Sequence, residues 1–256
     1  MKRLAMLVVG IVLVIYAATC AALYFGQRSL LYYPTPESRS TRAESLRFDT
    51  AGAALKIWRL AGAGDDALLY FGGNSEDVAW NIDEFAELFP DHTVYLVNYR
   101  GYGGSTGSPT EAGMLADAEQ VFDAVRAEHP HVDVIGRSLG SGVAVHLATV
   151  RDVRKLVLVT PYDSVLNVAQ RHFVVVPVSW LLEDRFDSLG KVSKIRIPTL
   201  ALLAERDRII PRANSERLIA AFPHGLIRSQ TIAGVNHDSI TDAKEYGDAL
   251  RDFLRD

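Results

Sequence analysis

The chain has 256 residues, of which 48% are hydrophobic and 23% charged, and its formal net charge is −4. This composition is typical of one large globular domain and excludes a disordered chain. The negative net charge also makes the chain a poor partner for nucleic acid. The one cysteine, Cys20, lies in an apolar N-terminal segment. We therefore expect no internal disulfide and no cysteine-based metal site in the folded domain.

An uncharged apolar run from Leu4 to Phe25 follows Lys2 and Arg3 at the N-terminus. As a helix it would be ~33 Å long, which is enough to cross the hydrocarbon core of a bilayer. We predict a transmembrane signal-anchor over residues 1–26. Because the positive charges precede the helix, the N-terminus is expected in the cytoplasm and the domain on the outer, periplasmic or extracellular side. A signal peptide cleaved near Cys20 is one alternative, and a lipid-modified Cys20 is another.

Strand and helix patterns alternate after a predicted linker over residues 27–45. Such alternation over residues 46–256 predicts a single α/β domain with a mainly parallel eight-stranded sheet covered by helices on both faces. One helix, running to about residue 128, is predicted to begin at a capping box formed by Ser108 and Glu111. The predicted strands are 46–48, 54–60, 67–71, 93–98, 132–135, 155–160, 198–203 and 228–232.

A Gly-x-Ser-x-Gly sequence, Gly136 to Gly140, joins the fifth predicted strand to the helical pattern after it. A strand that turns this sharply into a helix lifts the hydroxyl of Ser138 clear of the sheet. The turn also directs the unpaired amides of the helix N-terminus toward the group that the serine attacks. A structural serine in a tight turn is the alternative. The strand before the motif and the helix after it favour Ser138 as a nucleophile.

A nucleophilic serine needs a base, usually a histidine oriented by a carboxylate, and both are expected at the carboxyl ends of the strands. Of the seven histidines in the chain, His237 alone follows a late strand at that edge. Asp207 follows the seventh strand and is the predicted acid. Glu205 is its substitute, and Asp163, after the sixth strand, is an outside candidate. These positions predict a catalytic triad of serine, histidine and aspartate.

Two backbone amides are needed to stabilise an oxyanion. Leu139, directly after the serine, is predicted to supply one of them. The other is expected from Asn74, or alternatively Ser75, in the loop after the third strand. Gly72 and Gly73 at the start of this loop let its backbone pass close to a substrate. Neither a metal nor a cofactor is required by this chemistry.

Together these motifs resemble the α/β-hydrolase superfamily, and more narrowly its membrane-anchored branch of bud-emergence-type hydrolases and protein depalmitoylases. The resemblance covers residues 30–256 and implies the α/β-hydrolase fold and its serine, acid, histidine chain order. Gly72 departs from the pattern because relatives usually carry His there, and residues 203–207 replace the usual His-Gly-x-x-Asp. The residues that carry the resemblance are Gly72-Gly73-Asn74, Asn98 to Ser105, Gly136 to Gly142, Asp207 and Asn236-His237.

The predicted function is that of a membrane-anchored serine hydrolase that cleaves carboxylic esters or thioesters through an acyl-enzyme. The anchor suggests acyl substrates presented at a membrane, such as lipids or acylated proteins. A lysophospholipase or monoacylglycerol lipase is an alternative, and a catalytically silent membrane-anchored scaffold is another. The apolar cluster at residues 173–182 is expected to form a wall or lid over the serine, to form a membrane-facing patch, or to pack on the sheet as an amphipathic helix.

Overall fold

Eight strands pair into a single sheet within residues 1–255, the part of the chain that this computed structural model describes. Their order in the sheet is 1-2-4-3-5-6-7-8, numbered along the chain. The second strand pairs antiparallel with both its neighbours, the first and the fourth, and the last six strands lie parallel to one another. The predicted mainly parallel sheet is therefore confirmed, with antiparallel pairing at one edge. The strands are β1 (Glu44–Thr50), β2 (Ala53–Leu60), β3 (Ala67–Phe71), β4 (Thr93–Val97), β5 (Val132–Arg137), β6 (Leu156–Val159), β7 (Thr199–Ala204) and β8 (Ile227–Ile232).

The central strands are apolar along their whole length because helices cover both faces of the sheet. Every residue of β3 is buried. Since successive side chains of a strand point to opposite faces, Leu69 and Phe71 enter one hydrophobic core and Leu68 and Tyr70 enter the other. The buried sheet therefore supports the loops described below, which lie at the carboxyl ends of its parallel strands.

Helices on the two faces of the sheet complete the fold, and two short 3₁₀ helices lie at Val78–Asn81 and Ser239–Asp242. The α-helices among the described residues are α1 (Lys2–Leu31), α2 (Ile82–Leu88), α3 (Glu111–Glu128), α4 (Leu139–Val150), α5 (Val165–His172), α6 (Val178–Leu181), α7 (Leu189–Val192), α8 (Arg212–Ala220) and α9 (Lys244–Arg255).

The predicted capping box of α3 is wrong. Thr110, not Ser108, precedes the helix with extended backbone, and its hydroxyl accepts the Gly113 amide at 3.1 Å. The Glu111 carboxylate instead accepts the backbone amide of Arg185 at 2.6 Å. A tertiary contact has therefore replaced the local one that the sequence pattern predicted.

Helix α1 is long and apolar enough to cross a membrane, and it runs to Leu31, beyond the predicted end at residue 26. The linker predicted over residues 27–45 is shorter in the structure. It begins after Leu31, where α1 ends, and it stops before Glu44, where β1 begins. The last turn of α1 is held by Asp184, whose carboxylate accepts Arg28 Nε at 3.1 Å and the Tyr32 hydroxyl at 3.0 Å.

The apolar segment at residues 173–182 lies against α1. The Tyr16 hydroxyl donates to Val175 O at 2.9 Å, and Gln27 Nε2 donates to Leu181 O at 3.1 Å. No residue of the segment lines the cleft that contains Ser138. The segment therefore extends the surface around α1 rather than covering the serine.

Candidate active site

Ser138 lies at the junction of β5 and α4 with a φ of 48° and a ψ of −114°, a conformation that few non-glycine residues adopt. The turn is closely packed. A Cβ atom on Gly140 would lie 2.0 Å from Phe71 O, and one on Gly136 would lie 2.3 Å from Gly140 O. Both glycines are therefore required by the close approach of neighbouring backbone, as the Gly-x-Ser-x-Gly pattern predicts for a nucleophile elbow.

The three residues predicted as a triad lie in one hydrogen-bonded chain. Ser138 Oγ is 2.8 Å from His237 Nε2, and His237 Nδ1 is 2.8 Å from Asp207 Oδ2. A carboxylate only accepts hydrogen bonds, so the imidazole proton is assigned to Nδ1 and Nε2 is left to accept from the serine hydroxyl. Ser138 and His237 are both buried.

The second carboxylate oxygen of Asp207 accepts two backbone amides, those of Ile209 at 2.9 Å and Ile210 at 2.8 Å. These bonds fix the carboxylate in the loop after β7. On the facing loop, Asn236 Oδ1 accepts the amides of Asp238 at 2.9 Å and Ser239 at 3.0 Å. Both partners of the serine are therefore held by turns whose own polar groups are satisfied.

The two alternative acids, Glu205 and Asp163, form hydrogen bonds with other parts of the domain. Glu205 accepts the Gly234 amide at 2.7 Å and so closes the turn that follows β8. Asp163 is fully buried and accepts hydrogen bonds from Asn214 Nδ2 at 2.7 Å and Arg217 Nη1 at 2.6 Å. Neither carboxylate is a hydrogen-bond partner of the histidine in the candidate triad.

Of the two residues predicted for an oxyanion site, Leu139 directly follows Ser138 and Asn74 lines the same cleft as Ser138. Leu139 is the first residue of α4, where helix geometry leaves the amide without an intrahelical acceptor. The loop after β3 passes against the serine, since a Cβ on Gly73 would lie 3.5 Å from Ser138 Cβ. Asn74 turns its side chain toward the N-terminal segment, where Nδ2 donates to Leu31 O at 2.6 Å.

A cleft of about 550 Å³ opens above the serine. One part of its lining, the acidic wall, contains Glu84, Asp238 and Asp242. Burial, and after it the nearby Asp242, raises the pKa of Glu84 to about 7. Within residues 1–255, no group of three or more histidine, cysteine or acidic side chains is placed to hold a metal ion. The residues that line the cleft are Gly73, Asn74, Ser75, Glu76, Trp80, Asn81, Glu84, Arg137, Ser138, His237, Asp238, Thr241 and Asp242.

Sequence reasoning missed one buried ion pair beside the cleft. Arg137 Nη1 donates to Glu76 Oε2 at 2.7 Å, and the two side chains are 12% and 5% exposed. The available signal was Arg137 itself, because a charged residue at the end of a buried strand needs a buried partner. The sequence could not identify that partner, which lies 61 positions away.

Comparison with known proteins agrees with this fold and its motifs. Residues 60–193 match the model of the alpha/beta hydrolase family. An uncharacterized protein of Mycobacterium tuberculosis is 30% identical over 268 residues, which cover 96% of this chain and 94% of that protein. The chain belongs to the alpha/beta hydrolase family.

Two eukaryotic relatives narrow the resemblance. Protein bem46 of Schizosaccharomyces pombe is 26% identical and matches 90% of this chain and 82% of its own length. The lysophosphatidylserine lipase ABHD12 of Xenopus tropicalis is 33% identical over 63% of this chain and 49% of its own length. The predicted resemblance to the membrane-anchored branch is confirmed by these matches.

A solved structure has the same fold. The Pyrococcus furiosus esterase Pf2001 superposes with a TM-score of 0.69, covering 87% of this chain and 98% of its own, at 17% identity. This likeness concerns the fold alone. Together with the family match, the hydrolase relatives support hydrolase activity in this chain.

Proposed function

We propose that this protein is a serine hydrolase that cleaves carboxylic esters or thioesters through an acyl-enzyme. The observation that carries the proposal is the hydrogen-bonded chain from Asp207 through His237 to Ser138, with both links at 2.8 Å. This chain meets the geometric requirement for an activated nucleophile, in which a base contacts the hydroxyl and a third group orients the base.

In the first half of the reaction, Ser138 Oγ forms a bond to the substrate carbonyl carbon while His237 Nε2 takes the hydroxyl proton. The carbonyl oxygen becomes an oxyanion, which accepts the amides of Leu139 and Asn74. The bond from the carbonyl carbon to the leaving oxygen or sulfur then breaks, and His237 gives its proton to that atom. The alcohol or thiol departs and the acyl group stays on the serine.

In the second half, a water molecule attacks the acyl carbon and His237 accepts its proton. The bond to Ser138 Oγ breaks, the carboxylic acid departs, and the serine recovers its proton from the imidazole. Asp207 orients the imidazole and stabilises the imidazolium that forms in each half-reaction. The two amides on its second oxygen, from Ile209 and Ile210, hold the carboxylate in place.

For the substrate, we propose an acyl lipid or acylated protein that is presented at a membrane. The apolar length of α1 and the resemblance to membrane-anchored relatives support this class. We further propose that α1 is a signal-anchor with its N-terminus in the cytoplasm and residues 46–256 as the catalytic domain on the outer side. The name of one relative, a lysophosphatidylserine lipase, favours lysophospholipids as the first substrates to test. Monoacylglycerols and S-acylated peptides are the next classes.

The test is labelling of the full-length protein in detergent with a fluorophosphonate probe, which reacts only with activated serines. We expect labelling to be lost in Ser138→Ala and His237→Ala. Ser193→Ala and His224→Ala are matched controls, since both residues are exposed, and they should label like wild type. Well-folded wild-type protein that does not label would overturn the proposal and favour the scaffold alternative. If the wild type labels as expected, hydrolysis of lysophosphatidylserine, monoacylglycerol and an S-acylated peptide distinguishes the substrate classes.

A further inference from the structure

The buried ion pair beside the cleft holds the turn from which an oxyanion amide is proposed. Glu76 Oε2, which accepts from Arg137, also accepts the Gly73 amide at 2.6 Å. The other oxygen, Oε1, accepts the Tyr70 hydroxyl at 2.5 Å and Asn81 Nδ2 at 2.8 Å. These four hydrogen-bond donors hold the Glu76 carboxylate in a single position. The backbone at Gly73, one residue before the proposed oxyanion amide, is fixed by that position.

The arginine of the pair reaches the loop of the proposed base. Arg137 Nη2 donates to His237 O at 3.3 Å, with a longer contact of 3.5 Å to Asp238 O. In the chain, Arg137 directly precedes Ser138. One guanidinium group is therefore joined to the nucleophile through the backbone, to the base loop through Nη2, and to the oxyanion turn through Glu76.

The charge state of the carboxylate supports this arrangement. Burial alone would raise the pKa of Glu76. The charge of Arg137 and the hydrogen bonds from Tyr70 and Gly73 outweigh burial and hold that pKa below its ordinary value. The ionised carboxylate is an acceptor at both oxygens, as its four donors require.

We propose that Arg137 and Glu76 are positioning residues that set the distance between the oxyanion turn, Ser138 and the His237 loop. This inference rests on the proposed serine hydrolase function. Only a planar, forked side chain can serve both loops at once. Lysine carries the same charge on a single nitrogen, so Arg137→Lys can keep the contact to Glu76 but not the one to His237 O at the same time.

If Arg137 positions the site, substitutions of Arg137 should lower the reaction rate by a larger factor than they lower the fraction of folded protein. In Arg137→Lys, we expect kcat for a short-chain ester to fall about 10-fold, with KM changed less than about 2-fold. In Arg137→Gln the fall should reach about 100-fold, the size expected for a displacement of about 1 Å in an active site. The second-order rate of fluorophosphonate labelling should fall by the same factors, while labelling at long times still reaches every folded molecule.

A second arginine–carboxylate pair, at the amino ends of the strands, provides the matched control, although its arginine is 28% exposed. Arg154 Nε donates to Asp133 Oδ1 at 2.9 Å, and the Asp133 side chain is fully buried. Arg154→Lys makes the same chemical change far from the serine. Its melting temperature should fall as much as that of Arg137→Lys, or more, while its labelling rate per folded molecule stays at the wild-type value.

Several outcomes would overturn the inference. Wild-type rates per folded molecule in Arg137→Lys would show that the pair stabilises the fold and positions nothing. Should Arg137→Gln fail to fold, Glu76→Gln takes its place. It keeps the shape of the carboxylate but loses its charge, and its NH₂ group cannot accept the two hydrogen bonds that one carboxylate oxygen accepts. Unchanged labelling in that variant would also contradict the inference.

Absence of labelling in wild type would remove the proposed function, and the positioning role with it. Labelling in wild type with no effect in either variant removes the positioning role alone.

Discussion

His237 Nδ1 lies 2.8 Å from Asp207 Oδ2, whereas the nearby carboxylate of Glu205 accepts the Gly234 amide at 2.7 Å. Two acidic residues separated by one position in the chain thus have different partners. Asp207 is placed to orient an imidazole, and Glu205 is placed to close a turn. This difference can be tested by matched amide substitutions.

Asp207→Asn is expected to lower kcat by about 10⁴-fold, because an amide can donate to the imidazole and favour the wrong tautomer. Glu205→Gln should change kcat less than about 3-fold, since a side-chain oxygen remains to accept the Gly234 amide. Initial rates on a short-chain ester, corrected for the folded fraction, measure both values. Equal losses in the two variants would contradict the assignment of the acid.

The acidic wall of the cleft should make stability depend on pH. The pKa of Glu84 is raised from its ordinary value of 4.5 to about 7. The folded chain therefore holds this proton more tightly than the unfolded chain, and the contribution to stability falls as pH rises from about 4.5 through 7. Glu84→Gln removes the cost of ionisation. We expect it to be more stable than wild type at pH 8.5 by about 1–2 kcal/mol, after allowance for solvent screening.

At pH 4 the carboxyl of Glu84 is mostly protonated in both states, so the advantage of the glutamine variant should fall close to zero. Urea denaturation at pH 4, 6 and 8.5 measures this trend. Glu87→Gln, an exposed change on the same helix, is the control. A constant difference between Glu84→Gln and wild type at all three pH values would contradict the prediction.

The close packing of the elbow predicts a large effect from one methyl group. In Gly140→Ala the new Cβ would lie 2.0 Å from Phe71 O, a backbone atom of β3 that cannot move aside cheaply. We expect a loss of about 3 kcal/mol in unfolding free energy together with loss of fluorophosphonate labelling. Gly10→Ala, where nothing lies within 4 Å of the new atom, should leave both unchanged.

The attachment of α1 to the domain gives a fourth prediction. Asp184→Ala removes the acceptor of Arg28 and Tyr32, and the buried Tyr32 hydroxyl then lacks its partner. We expect a loss of about 1–3 kcal/mol in unfolding free energy and faster proteolysis between residues 32 and 43. Glu183→Ala removes an exposed ion pair to the same arginine and an exposed hydrogen bond from the Tyr24 hydroxyl, and it should cost less than about 1 kcal/mol. Equal proteolysis of the two variants would contradict the prediction.

Sequence reasoning was most successful where structure depends on short stretches of chain. The Gly-x-Ser-x-Gly elbow, the alternation of strands and helices, and the positions of Asp207 and His237 after late strands all follow from local pattern and parallel topology. The prediction of the α3 cap failed because Glu111 accepts from Arg185, which is 74 positions away. The partner of Arg137 was missed for the same reason. A pairing that folding creates leaves no mark in the spacing of the residues that form it.

The contacts of Asp184 with the end of α1 have a geometric consequence for the whole molecule. A helix joined to a domain by a flexible segment lets the domain turn in any direction. Here the last turn of α1 is fastened to the domain through Arg28 and Tyr32, and its middle contacts Val175. In a bilayer, the tilt and rotation of α1 would therefore set the height and direction of the cleft. The lipid surroundings, as well as the pocket, would decide which molecules come within reach of Ser138.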